Sequence, residues 1–172
     1  MNGKSQAVNP DTGIPAQKLR VFSGEHLWYE IHMLYGVMEL LLQGVDDYYL
    51  YNALLEAFVL HASVILDFFY KPAVKPDDAR AVHYVRDPRA FHKALPPFEQ
   101  KFGGFTRKRN KEVVHLSYRR LYVRPEEKHW RSSKITKDIR RIVDIFLDHA
   151  DPARLHPKMY TLRTGAERRG AF

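Results

Sequence analysis

Residues 46–70 read DDYYLYNALLEAFVLHASVILDFFY, and this stretch decides the fold. Asp46 or Asp47 is a typical helix N-cap, because a carboxylate there accepts hydrogen bonds from the first free backbone amides. Pro72 cannot continue a helix, so the predicted helix ends at about Tyr70. Between these limits the sequence is apolar almost all round, which is typical of a helix at the centre of a bundle. The stretch therefore predicts a buried central helix.

Polar residues on this helix form a narrow seam. At ~100° per residue, four of them fall within about 60° of one another: Asn52, Glu56, Ser63 and Asp67. One interpretation is that the seam faces solvent or makes structural hydrogen bonds. The other is that Glu56 and Asp67 reach a basic helix and orient its charged groups. His61 lies roughly opposite the seam, and we interpret it as a hydrogen-bonded core histidine.

Caps and helix breakers on both sides of this stretch predict further helices. No hairpin turn or alternating strand pattern is evident, so the fold class is all-α, a helical bundle of four to five main helices. Two flanking helices are predicted at about 25–43, behind an N-cap at Ser23, and from Asp87-Pro88 to before Pro96-Pro97. Two more are predicted at about 106–118, after a break at Gly103-Gly104, and from Ser132 or Ser133 to about His149. The last of these carries an apolar stripe of Ile135, Ile139, Ile142, Val143 and Phe146.

The 172 residues are predicted to form one domain with irregular ends. The formal net charge is +8, of which residues 1–20 carry +2 and residues 152–172 carry +4. Both ends contain Pro, Gly and charge without apolar periodicity. We predict an irregular N-terminal segment over 1–20, a helical-bundle domain over 21–151 and a basic C-terminal tail over 152–172. We expect both ends to add little to the core.

Residue types and spacings exclude or disfavour several chemistries. The chain has no cysteine, which excludes disulfides, thiol nucleophiles, and Cys-ligated zinc or iron–sulfur sites. No His-x-x-x-His pair and no Gly-rich phosphate loop is present, so we expect no metal and no cofactor. The N-terminus lacks the apolar core of a signal peptide, and the most apolar stretch, 57–70, is too short to span a bilayer. We expect a cytoplasmic protein with no membrane partner.

One internal segment is strongly basic. Between residues 101 and 120 the only acid is Glu112, and the lysines and arginines are Lys101, Arg107, Lys108, Arg109, Lys111, Arg119 and Arg120. Such a cluster predicts a local face for phosphate groups, in which Arg107, Arg119 and Arg120 contact nucleic acid. Aromatic side chains stack on bases, and the candidates in this chain are Tyr48, Tyr49, Tyr51, Tyr118, Tyr122 and Trp130. We interpret most of them as core or rim residues.

Within this segment, Arg109, Asn110 and His115 form a short motif: an Arg followed by a polar residue, with a His six positions after the Arg. The chain here resembles the HEPN superfamily, all-helical domains found in bacterial toxins, defence systems and RNases. The resemblance implies a HEPN-like bundle, a homodimer that brings two sites together, and Arg109 and His115 as catalytic residues. It also implies RNA as the substrate and a cognate antitoxin or other protein as a partner, in a toxin–antitoxin or phage-defence setting. The supporting residues of such a site are Asn110, Glu56, Asp67, Lys108 and Lys111.

The chemistry asked of the Arg–His pair is phosphodiester cleavage without a metal ion. The imidazole of His115 takes a proton from a ribose 2′-hydroxyl or gives one to the leaving oxygen, and the guanidinium of Arg109 neutralises charge on the phosphoryl oxygens. On an ideal helix the two residues lie about 120° apart. They converge only if Arg109 sits at a frayed turn or if a second copy completes the site.

Three classes of function stay open on the sequence alone. They are a metal-independent endoribonuclease or toxin/defence component, a non-catalytic helical module that binds nucleic acid or a protein partner, and a neutral protein–protein scaffold. In the non-catalytic interpretation, 106–118 is a solvated basic helix and His115 packs inward against Glu56 or Asp67. Salt dependence separates the classes, because phosphate contacts weaken steeply as salt is added.

Overall fold

Six α-helices, joined by 3₁₀ and π turns, form the part of the chain that the computed structural model describes, residues 13–72, 75, 77–116 and 118–164. The helices are α1 (Ala16–Phe22), α2 (Trp28–Gln43), α3 (Tyr48–Tyr70), α4 (Pro88–Ala94), α5 (Phe98–Arg109) and α6 (Ser132–His149). These residues contain no strand, only an isolated bridge between Val85 and Ala150. The predicted all-α bundle is confirmed.

Helix α3 is the predicted central helix. Asp47 caps its start, because the carboxylate accepts a hydrogen bond from the amide of Leu50 at 2.7 Å. It ends at Tyr70, as predicted, and its buried side chains are Phe58, Val59, His61, Ala62, Ile65, Leu66, Phe68 and Phe69. Helices α2 and α3 pack along each other as a hairpin, and the chain leaves α2 at Gly44, whose φ of 84° favours glycine.

Helices α4 and α6 are confirmed where the sequence predicts them. Asp87 caps α4, and its carboxylate accepts hydrogen bonds from the amides of Arg89 (2.8 Å) and Ala90 (3.1 Å). Helix α6 begins at Ser132 and ends at His149. All residues of its predicted apolar stripe are buried, and the stripe packs against α2, α3, α4 and α5.

The first helical run begins earlier than predicted, because Ser23 is not an N-cap. A π turn, Ser23–Leu27, joins α1 and α2 into one continuous run. The Ser23 hydroxyl donates to the carbonyl of Arg20 and accepts from the amide of His156, both at 2.9 Å. Gly24 lies so close to the His156 ring that a Cβ there would come within 2.6 Å of it. A serine that resembles a helix start in the sequence is therefore an internal contact with the C-terminal segment.

That C-terminal segment belongs to the core, which corrects the predicted tail. A 3₁₀ turn, Pro157–Leu162, packs on α2 and on the π turn. Leu155, Met159 and Leu162 are buried, and at the other end of the chain Leu19 is buried as well. Limits of 21–151 are therefore too narrow for the domain. The sequence did not predict this packing, because these apolar residues follow no regular period. The outermost residues of both predicted tails, 1–12 and 165–172, lie outside the described part.

Helix α5 runs through Gly103-Gly104 instead of starting after it. Buried phenylalanines on both sides of the pair anchor the helix, which offsets the cost of about 1 kcal/mol that a glycine brings to a helix. After Arg109 the chain makes a π turn, Asn110–Val114, and at His115 the backbone is extended, with φ −121° and ψ 133°. The prediction of a basic helix over 106–118 is therefore wrong at both ends.

Helix α3 also has 23 residues, and its most apolar window has a mean hydropathy of 1.6. By length and composition it is the one helix in the described part that meets the criteria for a membrane span. The apolar stretch 57–70 is thus part of a longer helix, whose length the stretch alone does not show. The core helix of a soluble protein meets the same criteria, and half of this window is buried inside the protein.

Candidate functional site

Arg109 is the last residue of α5, and the side chain of the next residue holds it. Its Nε and Nη2 atoms donate to Oδ1 of Asn110 at 3.0 and 2.9 Å. Both residues are partly buried. Because the amide is neutral, it orients the guanidinium without cancelling its charge. Arg109 is therefore a positioned cation.

Arg109 lines a cavity of about 270 Å³ between α5 and the C-terminal end of α3. Asp67 lines the same cavity, but its carboxylate forms an ion pair with Lys71, at the end of its own helix. The prediction that Asp67 reaches a basic side chain of another helix is therefore wrong. The structure brings Asp67 and Arg109 to one cavity without a direct ion pair between them.

Two further residues of the polar seam, Asn52 and Ser63, form hydrogen bonds within α3. The side chain of Asn52 donates to the carbonyl of Tyr48 at 2.7 Å, and the hydroxyl of Ser63 donates to that of Val59 at 2.6 Å. Glu56 is exposed and forms no ion pair with a described residue. No contact with the described residues supports an orienting role for Glu56, so the seam is a structural and solvent-facing feature.

His115 is exposed, and its imidazole makes no hydrogen bond to the described residues. Its backbone carbonyl accepts a hydrogen bond from Nη2 of Arg120 at 3.0 Å. The interpretation in which His115 packs inward against Glu56 or Asp67 is therefore wrong. Because the α-helix has ended before His115, the angle of about 120° to Arg109 on an ideal helix does not apply.

Three basic residues of the segment form ion pairs with carboxylates. The ion pairs are Arg107–Glu99, Lys101–Asp138 (3.7 Å) and Lys108–Glu112 (2.7 Å). Lys108 also donates to the carbonyl of Glu127 and lies 5.0 Å from the centre of the Trp130 ring. It therefore fastens the connector before α6 to α5, which is a structural role and not the predicted support of the Arg–His pair.

Other cations of the segment have no carboxylate partner among the described residues. Arg120 donates from Nε to the carbonyl of Lys111 at 3.3 Å, as well as from Nη2 to that of His115 at 3.0 Å. These contacts satisfy backbone carbonyls in and just after the π turn that follows α5, as arginine side chains often do near helix C-termini. Lys111 is exposed. With Arg109, these side chains keep their full charge for an anionic ligand; the side chain of Arg119 lies outside the described part.

The 3₁₀ turn Tyr118–Tyr122 presents large apolar side chains to solvent. Tyr118 is 89% exposed and Tyr122 is 82% exposed. Residue type alone does not separate such positions from core positions, so this exposure is visible only in the folded chain. Exposed aromatic rings beside cations that pair with no described carboxylate form a surface on which bases can stack.

No three His, Asp or Glu side chains within 13–72, 75, 77–116 and 118–164 come together as a group that could hold a metal ion. Comparison of the chain with protein-family models, with curated proteins and with solved structures finds no match in any of the three. The function must therefore be inferred from the geometry of residues 107–122.

Proposed function

We propose that the protein is a metal-independent endoribonuclease of HEPN-like type, in which Arg109 and His115 act on the RNA backbone. The arrangement at the end of α5 supports this most. Asn110 holds a charged guanidinium, and an exposed imidazole follows it along the chain. A positioned cation and an accessible acid–base group are the two parts that this cleavage requires.

In the proposed reaction the imidazole of His115 removes the proton from a ribose 2′-hydroxyl. The oxygen attacks the adjacent phosphorus, the bond from phosphorus to the 5′-oxygen breaks, and a protonated imidazole returns a proton to that leaving oxygen. The products are a 2′,3′-cyclic phosphate and a free 5′-hydroxyl. Arg109 stabilises the charge on the phosphoryl oxygens, so neither residue substitutes for the other.

The second candidate is RNA binding without cleavage. The observation that favours it is the exposure of Tyr118 and Tyr122 beside Lys111 and Arg120, whose charges no carboxylate of the described residues neutralises. Such a surface holds single strands by stacking and by phosphate contacts, and it needs no acid–base group.

The deciding experiment incubates the purified protein with labelled single-stranded RNA in the presence of EDTA. We expect cleavage with cyclic-phosphate ends, and its loss in Arg109→Ala and in His115→Ala with unchanged far-UV circular dichroism. Arg107→Ala is the matched control, because Glu99 already neutralises Arg107 and the variant should cut normally. Tight RNA binding without cleavage would select the second candidate, and neither binding nor cleavage would contradict both.

A further inference from the structure

The cavity beside Arg109 has an aromatic wall. Tyr70, Phe98 and Phe105 are among the residues that line it. The Tyr70 hydroxyl donates to the carbonyl of Pro96 at 2.9 Å, and its ring centre lies 5.2 Å from that of Phe98, so these rings are held in place. The volume of about 270 Å³ is close to the lower limit of small-molecule sites, which is about 300 Å³. The cavity therefore suits one planar ring system, such as a nucleobase.

Asp67 and Lys71 line the same cavity and offer hydrogen-bonding groups in a fixed order. Nζ of Lys71 donates to Oδ2 of Asp67, and Oδ1 accepts no hydrogen bond from a described residue. A carboxylate has about four lone-pair sites, so both oxygens can accept more hydrogen bonds. The two side chains are 37% and 54% exposed, which leaves them accessible to a ligand. Side by side they provide acceptor, acceptor and donor.

The base whose edge complements this order is guanine. Its Watson–Crick edge carries two neighbouring donors, the N2 amino group and N1–H, followed by the acceptor O6. Adenine and cytosine have a single donor group on this edge, and uracil has its donor between two acceptors. A carboxylate therefore accepts two hydrogen bonds from guanine and leaves an acceptor of each other base facing it.

The charge at the cavity fits a nucleotide. Lys71 and Asp67 neutralise each other, whereas Arg109 lines the same cavity and has no carboxylate partner in the described part of the chain. Its guanidinium, which Asn110 orients, is therefore available to a phosphate attached to the bound base.

We propose that this cavity, called here the base pocket, binds the guanine of a nucleotide whose phosphate contacts Arg109. N2 and N1 of the guanine donate to Asp67, Lys71 donates to O6, and the ring lies against the aromatic wall. The proposal rests on the proposed function where it places this nucleotide in RNA, next to the bond that is cleaved. It adds a base preference, which Arg109 and His115 do not provide because they act on the backbone.

Mononucleotide binding tests the base directly. Isothermal titration calorimetry compares guanosine, inosine and adenosine monophosphates, each as the 3′ and the 5′ isomer, because the phosphate at Arg109 joins two nucleosides. Inosine monophosphate lacks only the 2-amino group of guanine, so it should bind about tenfold more weakly, as expected for one lost hydrogen bond to a charged group. Adenosine monophosphate should bind more weakly still.

Asp67→Asn replaces one acceptor with a donor and should weaken the binding of guanosine monophosphate by about tenfold or more. The preference for guanine over adenine should be lost as well. Glu56→Gln is the matched control, because it makes the same chemical change on the same helix at an exposed position that does not line the cavity. Circular dichroism verifies that both variants are folded. A merely structural role of Asp67 would lower the binding of all nucleotides alike.

The RNA experiment compares a single-stranded oligomer that contains one guanine with the same oligomer carrying adenine at that position. We expect tighter binding of the guanine oligomer, measured by fluorescence anisotropy, and cleavage beside the guanine. Preferred binding without cleavage would contradict the proposed function and leave the base pocket intact. Cleavage with no base preference would do the reverse.

The base pocket is overturned if guanosine monophosphate binds no more tightly than adenosine monophosphate and the two oligomers behave alike. It is also overturned if Asp67→Asn keeps the preference for guanine. A preference for guanosine monophosphate that is absent from the oligomers would assign the pocket to a free guanine nucleotide and overturn its place in the RNA reaction.

Discussion

Nδ1 of His61 lies 2.8 Å from Oε2 of Glu30, so a carboxylate on α2 binds a histidine on the central helix. His61 is 7% exposed, which confirms it as a hydrogen-bonded core histidine. Its partner lies 31 residues earlier in the chain, and no local pattern connects the two. The contact joins α2 to α3 through polar groups within a largely apolar interface.

Removing the carboxylate should destabilise the protein. Glu30→Leu leaves the His61 ring nitrogen buried without a partner, at a cost of about 1–3 kcal/mol in the free energy of unfolding. The double variant Glu30→Leu with His61→Leu should lose less, because no polar group is then stranded. Urea titration measures both. Glu56→Leu is the control, since Glu56 is exposed and unpaired in the described part, and equal losses in Glu30→Leu and Glu56→Leu would contradict the expectation.

Acid should weaken the fold through His83. Burial lowers the pKa of His83 below its ordinary value of 6.5, and the nearby charges of Arg80 and Arg154 add to the effect. The ring is neutral in the folded state, where Nδ1 accepts a hydrogen bond from the amide of Arg80 at 3.3 Å.

The unfolded chain therefore takes up a proton at His83 before the folded chain does. The stability that this group contributes is complete above about pH 6.5 and is lost as the pH falls from there toward the lower pKa of the folded state. We expect the melting temperature of the natural chain to fall more steeply than that of His83→Gln as the pH is lowered from about 8 to about 5. Parallel curves would show that His83 titrates alike in both states.

Replacing Asn110 should separate the charge of Arg109 from its position. Asn110→Asp keeps both hydrogen bonds but adds a carboxylate, which neutralises the guanidinium. We expect RNA cleavage to fall by about 10²–10³-fold, as for other lost charge-stabilising contacts, with no loss of melting temperature. Asn110→Ala, which leaves the charge but frees the side chain, should fall less. If Asn110→Asp cleaves normally, Arg109 does not act on the phosphate.

RNA binding should depend on the unpaired cations and not on the paired ones. Lys111→Ala or Arg120→Ala should each reduce the slope of log K against log salt by about 0.7, the value for one phosphate contact on a single strand. Arg107→Ala should leave the slope unchanged, because Glu99 pairs with Arg107. Fluorescence anisotropy at several salt concentrations measures the slopes. Three equal slopes would show that the ion pairs do not select among these side chains.

The C-terminal 3₁₀ turn should contribute strongly to stability. Met159 is fully buried, and Met159→Ala should cost about 2–5 kcal/mol, as large-to-small changes in cores do. Leu42→Ala, at an exposed apolar position of α2, should cost much less. Denaturant unfolding compares them. If Met159→Ala lowers the free energy of unfolding only slightly, residues 157–162 contribute little to stability, as the sequence predicts for a tail.

The elements that could be predicted from the sequence are those whose signals are local. Asp47 and Asp87 cap the helices that follow them, and the period of α6 identifies its buried stripe. The errors arose where a distant contact overrides a local signal. Ser23 resembles a cap, but its hydroxyl binds the amide of His156, and Gly103-Gly104 resembles a break, but buried neighbours hold the helix through it.

The candidate site follows the same division. The motif residues are adjacent in sequence, and the contact of Arg109 with Asn110 lies between neighbours. The ion pair of Lys108 with Glu112 and its contact with the Trp130 ring could not be predicted from the sequence. Nor could the hydrogen bond from Arg120 to the carbonyl of Lys111. These contacts depend on where the chain turns after Arg109, and the π turn that directs it has no recognisable residue pattern.

The contact of Ser23 with His156 spans 133 residues, which has a consequence for the order of folding. The notch at Gly24 accepts the His156 ring, so the first helical run cannot complete its packing until almost the whole described chain is present. Closing so long a loop is slow, because chain entropy opposes it before the contacts form. The α2–α3 hairpin needs no such closure, and nascent chains that lack residues 155–162 should therefore hold a formed hairpin beside an unfilled notch.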